Sequence, residues 1–175
     1  MEQEKSGQGL VHLYHGTGKG KTTAAMGLAL RALGQGFRVG VVQFLKDGRS
    51  GELEMLRKLG AGVYSGSGEM KFSWTMTADE REETRKAQTA LLEAALGQPW
   101  DLLVLDEACA ACRTGLVDEE LVKKAVLRRP AGREVVLTGR DPAPWMVEAA
   151  DYVTRMEGER HPYDRGVSAR RGIEF

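Results

Sequence analysis

The chain has 175 residues, 42% of them hydrophobic, with 25 Lys plus Arg balanced by 25 Asp plus Glu. That is enough for one substantial core, and it gives no overall electrostatic pull toward nucleic acid or an anionic membrane. No apolar run approaches the roughly 20 residues that cross a bilayer, and Met1 to Gly9 is polar without a signal-peptide apolar region, so a cytoplasmic protein is expected.

Leu10 to Tyr14 reads as a short buried strand, ended by the Gly-rich run that follows it. From Lys21 to Leu33 the Ala, Leu and Met residues favour helix, and Gly34 and Gly36 supply a stop and a turn. Phe37 to Leu45 reads as a second strand, Glu52 to Leu59 as a helix ended by Gly60, and Val63 with Tyr64 as a short apolar stretch. Ser65 to Thr77 is a Gly- and Ser-containing loop carrying Phe72 and Trp74. Thr77-Ala78-Asp79-Glu80 then resembles a capping box, opening a long helix to about Leu96. Leu102 to Leu105 is a continuous apolar strand followed by Asp106 and Glu107. A helix from Asp118 to Arg128 ends before Pro130, Glu134 to Leu137 gives a strand, Pro144 to Ala150 a helix, and Tyr152 to Met156 a last strand. Alternating strands and helices imply an α/β fold, a mainly parallel sheet with helices on both faces. No repeat or low-complexity linker argues for a second domain, so residues 9–175 are expected to form one domain after a short polar segment, 1–8.

His15-Gly16-Thr17-Gly18-Lys19-Gly20-Lys21-Thr22-Thr23 lies where the first strand should pass into the first helix. Gly20, Lys21 and Thr22 fill the last three positions of the phosphate-binding pattern G-x-x-x-x-G-K-[ST]. The first position is His15, which leaves Gly16 and Gly18 to provide the freedom a tight loop needs. In such a loop, backbone amides and a helix N-terminus cradle phosphate oxygens, the lysine adds charge, and the hydroxyl ligates Mg²⁺. Asp106 and Glu107 fall at the C-terminal end of a strand, where open parallel sheets place their ligands and a carboxylate holds Mg²⁺ directly or through water. Either member of the pair serves that purpose.

Taken together, several segments resemble the P-loop ATP:corrinoid adenosyltransferases, or cob(I)yrinic acid a,c-diamide adenosyltransferases. They are Gly16 to Ala25, Val39-Gly40-Val41-Val42-Gln43-Phe44, Phe72-Ser73-Trp74, Val104-Leu105-Asp106-Glu107, Leu137-Thr138-Gly139-Arg140, and the tail His161 to Val167 with Gly172 to Phe175. The loop alone is generic, whereas the joint pattern is specific. The resemblance implies a P-loop NTPase-like, RecA-like fold in which a Co(I) corrinoid attacks the 5′ carbon of ATP and expels triphosphate, in adenosylcobalamin biosynthesis or salvage. It further implies ATP contacts from Gly16, Thr17, Gly18, Lys19, Gly20, Lys21, Thr22 and Thr23, with Lys21 catalytic, and Mg²⁺ or Mn²⁺ held by Thr22, Asp106 and Glu107. Phe72 and Trp74 would meet the corrinoid, displacing its lower axial ligand so that Co(II) is more easily reduced. An electron-donating reductase such as a flavoprotein, and a homodimer, are also implied.

Members of that family share the missing first glycine, and often carry a longer N-terminal helix over the nucleotide; Met1 to Gln8 spans no more than about two turns. Ser168 stands where many members have lysine. Cys109 and Cys112, spaced for one helix turn, read as small packed residues, since zinc normally wants four ligands. His161 and Asp164 read as residues that fix the tail or touch ligand, and His12 as a satisfied strand residue. The competing functions are another P-loop NTPase or small-molecule kinase, which would release ADP or phosphate, and a noncatalytic carrier of nucleotide or corrinoid.

Overall fold

The computed structural model describes residues 9–67 and 71–174; the segment 1–8 and Phe175 lie outside the described residues. Its elements run β1 (Val11–His15), α1 (Lys21–Gly34), β2 (Val39–Gln43), α2 (Gly51–Lys58), β3 (Gly62–Ser65), α3 (Ala78–Leu96), β4 (Leu102–Asp106), α4 (Ala108–Arg113), α5 (Glu119–Leu127), β5 (Glu134–Gly139), α6 (Pro144–Ala149) and β6 (Tyr152–Arg155). Short 3₁₀ turns occupy Ser73–Thr75 and Pro162–Arg165.

The six strands form one sheet in the order β3-β2-β4-β5-β1-β6, and every pairing is parallel. Strand alternation sorts the apolar residues onto two faces. Val39, Val41, Leu102, Val104 and Val136 pack with Ala25, Met26 and Ala29 of α1 and Leu53 and Leu56 of α2. Val11, Leu13, Val42, Leu103, Leu105, Val135 and Leu137 point the other way, against residues of α3, α4, α5 and α6. Helices therefore cover both faces, as the sequence pattern implies.

Capping fixes where α3 begins. Thr77 accepts from the Glu80 amide at 3.2 Å while the Glu80 carboxylate accepts from the Thr77 amide at 2.9 Å, the reciprocal pair of a capping box. Asp118 likewise accepts from the Glu120 amide and opens α5. The second strand is shorter than the sequence predicts. After Gln43 the Phe44 amide still pairs with the Asp106 carbonyl at 3.0 Å, but Leu45 turns into the left-handed region at φ 54° and the ladder stops. Helix α4 is not among the predicted elements; at six residues it is too short to show an apolar period.

Two glycines make room for one indole. A Cβ on Gly40 or Gly62 would lie 2.6 and 2.3 Å from the Trp100 ring, whose Nε1 donates to the Ala95 carbonyl at 2.9 Å. Trp100 thus pins the end of α3 over β2 and β3. Cys109 and Cys112 are buried on α4, and burial pushes both thiols up to about 12. They pack as apolar residues, and Gly139 yields space to Cys109, which a Cβ there would meet at 2.6 Å. His12 is satisfied: Nε2 lies 3.0 Å from Glu134 and the ring stacks on Tyr152 at 4.6 Å. Among the described residues no helix is long and apolar enough to cross a membrane.

Gly40→Ala is expected to destabilise the protein by about 1–3 kcal/mol in a denaturant titration, and to cost much less in a Trp100→Leu background, where the obstructing ring is gone. Neither cysteine should react with a thiol reagent at about pH 8 until the protein unfolds. Because the folded thiols titrate above their ordinary value of 9.0, the unfolded state loses those protons first. Their contribution to stability is present below pH 9 and falls as pH rises from there toward 12, which unfolding curves at stepped alkaline pH would register.

Candidate active site

The loop between β1 and α1 is shaped by how closely another backbone approaches it. His15 is the last ladder residue of β1, opposite Gly139, so the first position of the phosphate-binding pattern belongs to the strand. Gly16 follows at φ 110°, and a Cβ there would lie 2.3 Å from the Met156 carbonyl oxygen. Gly18 donates its amide to that same carbonyl at 2.8 Å and has Glu157 backbone within 2.7 Å of where a Cβ would sit. Thr17 accepts from the Gly158 amide at 3.3 Å. The chain just after β6 is therefore packed against the loop's outer side, and only glycine fits at two of these places.

Gly20, at φ 115°, turns the loop into α1. No side chain caps this helix and no acidic residue sits in its first turn, which leaves a positive helix end for an anion. Lys21 curls back so that its ammonium donates to the Gly18 carbonyl at 2.6 Å. Burial pulls this ammonium below its usual pKa, while Glu107 opposes that shift and Arg140 adds to it.

The acidic corner forms where three strands, β2, β4 and β5, end beside the start of α1. Asp106 is fully buried at the end of β4. Its Oδ1 accepts from the Thr22 hydroxyl at 2.9 Å and the Thr138 hydroxyl at 2.7 Å, and its Oδ2 accepts from Gln43 at 3.1 Å and Lys46 at 3.0 Å. Thr138 also accepts from the Glu107 amide at 2.9 Å. Glu107 stands at φ 59°, a left-handed conformation uncommon outside glycine. Burial first, and Asp106 second, push its carboxyl above the usual range.

These groups surround a cavity of about 400 Å³ lined by loop residues Lys19 to Thr23, with Lys46, Glu107, His161 and Glu174 on its other walls. Asp106 is not a lining residue and meets the cavity through Thr22. Gly16, Thr17 and Gly18 lie on the side that faces Met156 to Gly158. The tail closes one wall: Lys19 donates to the Ile173 carbonyl at 3.2 Å, and Arg170 pairs with Glu174 at 3.1 Å. His161 caps the tail's 3₁₀ turn by accepting from the Tyr163 amide at 3.2 Å, and the Asp164 amide donates to the His161 carbonyl, so this pair fixes the tail.

A hydroxyl and two carboxylates are the oxygen donors a hard divalent cation takes, and the buried Gln43 Oε1 beside them has no hydrogen-bond partner among the described residues. Among the described residues no cluster of three or more His, Cys, Asp or Glu is arranged to hold a metal by itself. A cation here would share its shell with substrate oxygens, which is how Mg²⁺ is commonly held.

Phe72 and Trp74 are not core anchors. They are 66% and 77% exposed and stack on each other with centroids 4.6 Å apart and planes 10° from parallel. Neither lines the phosphate cavity. Arg81 of α3 fastens their turn by donating to the carbonyls of Ser73, at 2.9 Å, and Thr114. Gln43, Lys46, Thr138 and Arg81 belong to the arrangement although the sequence assigns none of them a role; Gln43 and Thr138 do fall within segments that carry the family resemblance. Gln43 and Thr138 sit in the last residues of β2 and β5, Lys46 lies three residues past β2, and Arg81 follows a capping box by one helical turn.

With this geometry in view, the family model and the relatives in sequence agree. The family model described as ATP:corrinoid adenosyltransferase BtuR/CobO/CobP matches residues 7–175. A corrinoid adenosyltransferase of Pseudomonas aeruginosa is 40% identical over 180 residues, spanning 100% of this chain and 88% of that protein. A corrinoid adenosyltransferase of Escherichia coli K12 is 34% identical, spanning 100% of this chain and 90% of its own length. Corrinoid adenosyltransferase CobA of Salmonella typhimurium is also 34% identical, with the same two coverages. The chain belongs to the ATP:corrinoid adenosyltransferase family, enzymes that move the adenosyl group of ATP onto the cobalt of a corrinoid.

Proposed function

We propose that this chain carries out adenosyl transfer by gripping ATP through its triphosphate, so that the group it holds most firmly is the one that leaves. The observation that carries the reading is the cavity shared by Lys19, Lys21, Thr22 and Glu107 at the positive end of α1. The electron pair of Co(I) forms the bond to the 5′ carbon, the carbon–oxygen bond breaks, and triphosphate departs with the electron pair of that broken bond. Co(I) needs no proton removed, so a nucleophile-activating base is unnecessary. The cavity's lone histidine is already engaged as a turn cap, which agrees with that economy.

The protein's share of the work is positioning and charge. Lys21 and Lys19 neutralise departing oxygens, and the uncapped amides of α1 supply further donors. Thr22, Asp106 and Glu107 would hold Mg²⁺ or Mn²⁺. When bound, that cation contributes positive charge to the triphosphate as it leaves. Thr22 would hold it with an oxygen lone pair while its hydroxyl proton stays donated to Asp106. An anionic guest also favours the charged form of Lys21, opposing the lowering that burial imposes.

The exposed, stacked aromatics support a corrinoid contact. A flat apolar face under the ring disfavours a polar lower ligand on cobalt. Losing that ligand eases reduction of Co(II) by an external donor such as a flavoprotein. A cytoplasmic homodimer serving adenosylcobalamin biosynthesis or salvage completes the proposal.

An anaerobic assay with Mg-ATP and Co(I) cobalamin should form adenosylcobalamin and triphosphate in equal amounts; ADP or orthophosphate as the nucleotide product would instead mean hydrolysis or phosphoryl transfer. In that assay Lys21→Ala should lower kcat/KM by about 100- to 1,000-fold, and turnover close to wild type would remove the leaving-group role. Trp74→Ala should slow the reaction started from Co(II), with reductant present, at least about tenfold more than the reaction started from prereduced Co(I). Equal losses in both would deny Trp74 a part in the reduction step.

A further inference from the structure

Asp106 is buried completely yet has only one cationic hydrogen-bond partner among the described residues. Thr22, Thr138 and Gln43 are neutral donors, and Lys46 alone among its hydrogen-bond partners brings positive charge, with its Nζ 3.0 Å from Oδ2. A buried carboxylate with no cation beside it is costly, so Lys46 is its counterion in the ligand-free protein.

Lys46 is also held at the cavity wall. Its side chain is 31% exposed and lines the same space as Lys19 and Lys21. The backbone that delivers it is built for the purpose. The Phe44 amide is bonded to the Asp106 carbonyl, and the Leu45 amide donates to Oε1 of the buried Gln88 at 3.1 Å. Leu45 itself sits at φ 54°, a conformation L side chains rarely adopt. A pinned and strained turn therefore aims one ammonium so that it touches a buried carboxylate on one side and faces a phosphate-sized cavity on the other. Strain of this kind gathers at functional positions.

We propose that Lys46 is a transferable cation. It neutralises Asp106 while the cavity holds no substrate, gives up that place when a divalent cation arrives with the nucleotide, and turns its ammonium onto the triphosphate beside Lys19 and Lys21. This rests on the reading of the cavity as a metal–triphosphate site. It has a consequence for binding order. A divalent cation alone must displace Lys46 from Asp106, whereas a divalent cation with triphosphate offers Lys46 another anion, so metal and triphosphate favour one another's binding.

The test uses Mn²⁺, whose free form is read by electron paramagnetic resonance, and inorganic triphosphate, with the full chain. Lys46→Met should bind Mn²⁺ alone about fivefold or more tightly than wild type, because the internal competitor is gone, and should gain more thermal stability from Mn²⁺. It should bind Mn-triphosphate about tenfold more weakly, a change of about 1.4 kcal/mol. Lys46→Arg keeps the charge and preserves the fold, and its planar fork grips a carboxylate more firmly, so it should weaken binding of Mn²⁺ alone. Should Lys46→Met fail to fold, the arginine variant decides. Unchanged Mn²⁺ binding in both variants, or Mn-triphosphate binding by Lys46→Met as tight as wild type, would overturn the role of Lys46 while leaving the cavity reading in place. A wild-type protein that binds no Mn-triphosphate would overturn both.

Discussion

A single buried carboxylate holds the site together. Asp106 receives hydrogen bonds from Thr22 on α1, Gln43 at the end of β2, Lys46 just beyond it, and Thr138 on β5. Three separate stretches of chain thus meet on the two oxygen atoms of a fourth. The strand order makes this possible, because β5 lies between β1 and β4 and brings Thr138 between the phosphate loop and the acidic strand end. Charge-assisted hydrogen bonds in a dry environment are short and directional. The loop's Thr22 is consequently fixed in position before any ligand is present, and an electrostatic site gains most from being organised in advance.

The second constraint is the contact between two backbones. Met156 and Glu157, emerging from β6, press on Gly16 and Gly18 closely enough to exclude any side chain. Here β6 contributes little apolar burial, since all four of its residues are exposed. Its place beside β1 instead carries the chain against the loop and then on to the tail, where the Ile173 carbonyl meets Lys19. Glycines in the loop are thus required by protein packing as well as by phosphate, and the same contact links the cavity's floor to its wall.

Much of this is legible in the sequence, for reasons particular to each part. Continuous apolar runs such as Leu102 to Leu105 mark strands buried on both faces, and the box Thr77 to Glu80 marks the start of α3 to the residue. Lys21, Thr22, Asp106 and Glu107 stand out in the sequence because a phosphate loop and an acidic strand end are local patterns. Lys46 does not, because what directs it is a left-handed turn at Leu45, and no glycine advertises that turn. Thr138 falls in a segment that carries the family resemblance, but its bond to Asp106 is not legible, because the two lie 32 residues apart and only the sheet order joins them. The sequence also cannot tell whether Phe72 and Trp74 are core anchors or a surface platform, since both uses demand large aromatics. Exposure separates the two readings here.

Zero net charge conceals a strongly organised field. Lys19, Lys21 and Lys46 converge on one cavity, while its acidic residues Asp47, Glu52, Glu107 and Glu174 share the remaining walls. Opposite charges at such range would collapse into pairs if the side chains were free to choose. Here Lys21 is held by the Gly18 carbonyl, Glu174 by Arg170 and Lys46 by Asp106. The pairing therefore consumes only part of the positive potential and keeps the rest aimed at the helix end where a triphosphate would sit. For a reaction whose nucleophile arrives already activated, that stored potential is the form of assistance most useful to the departing group.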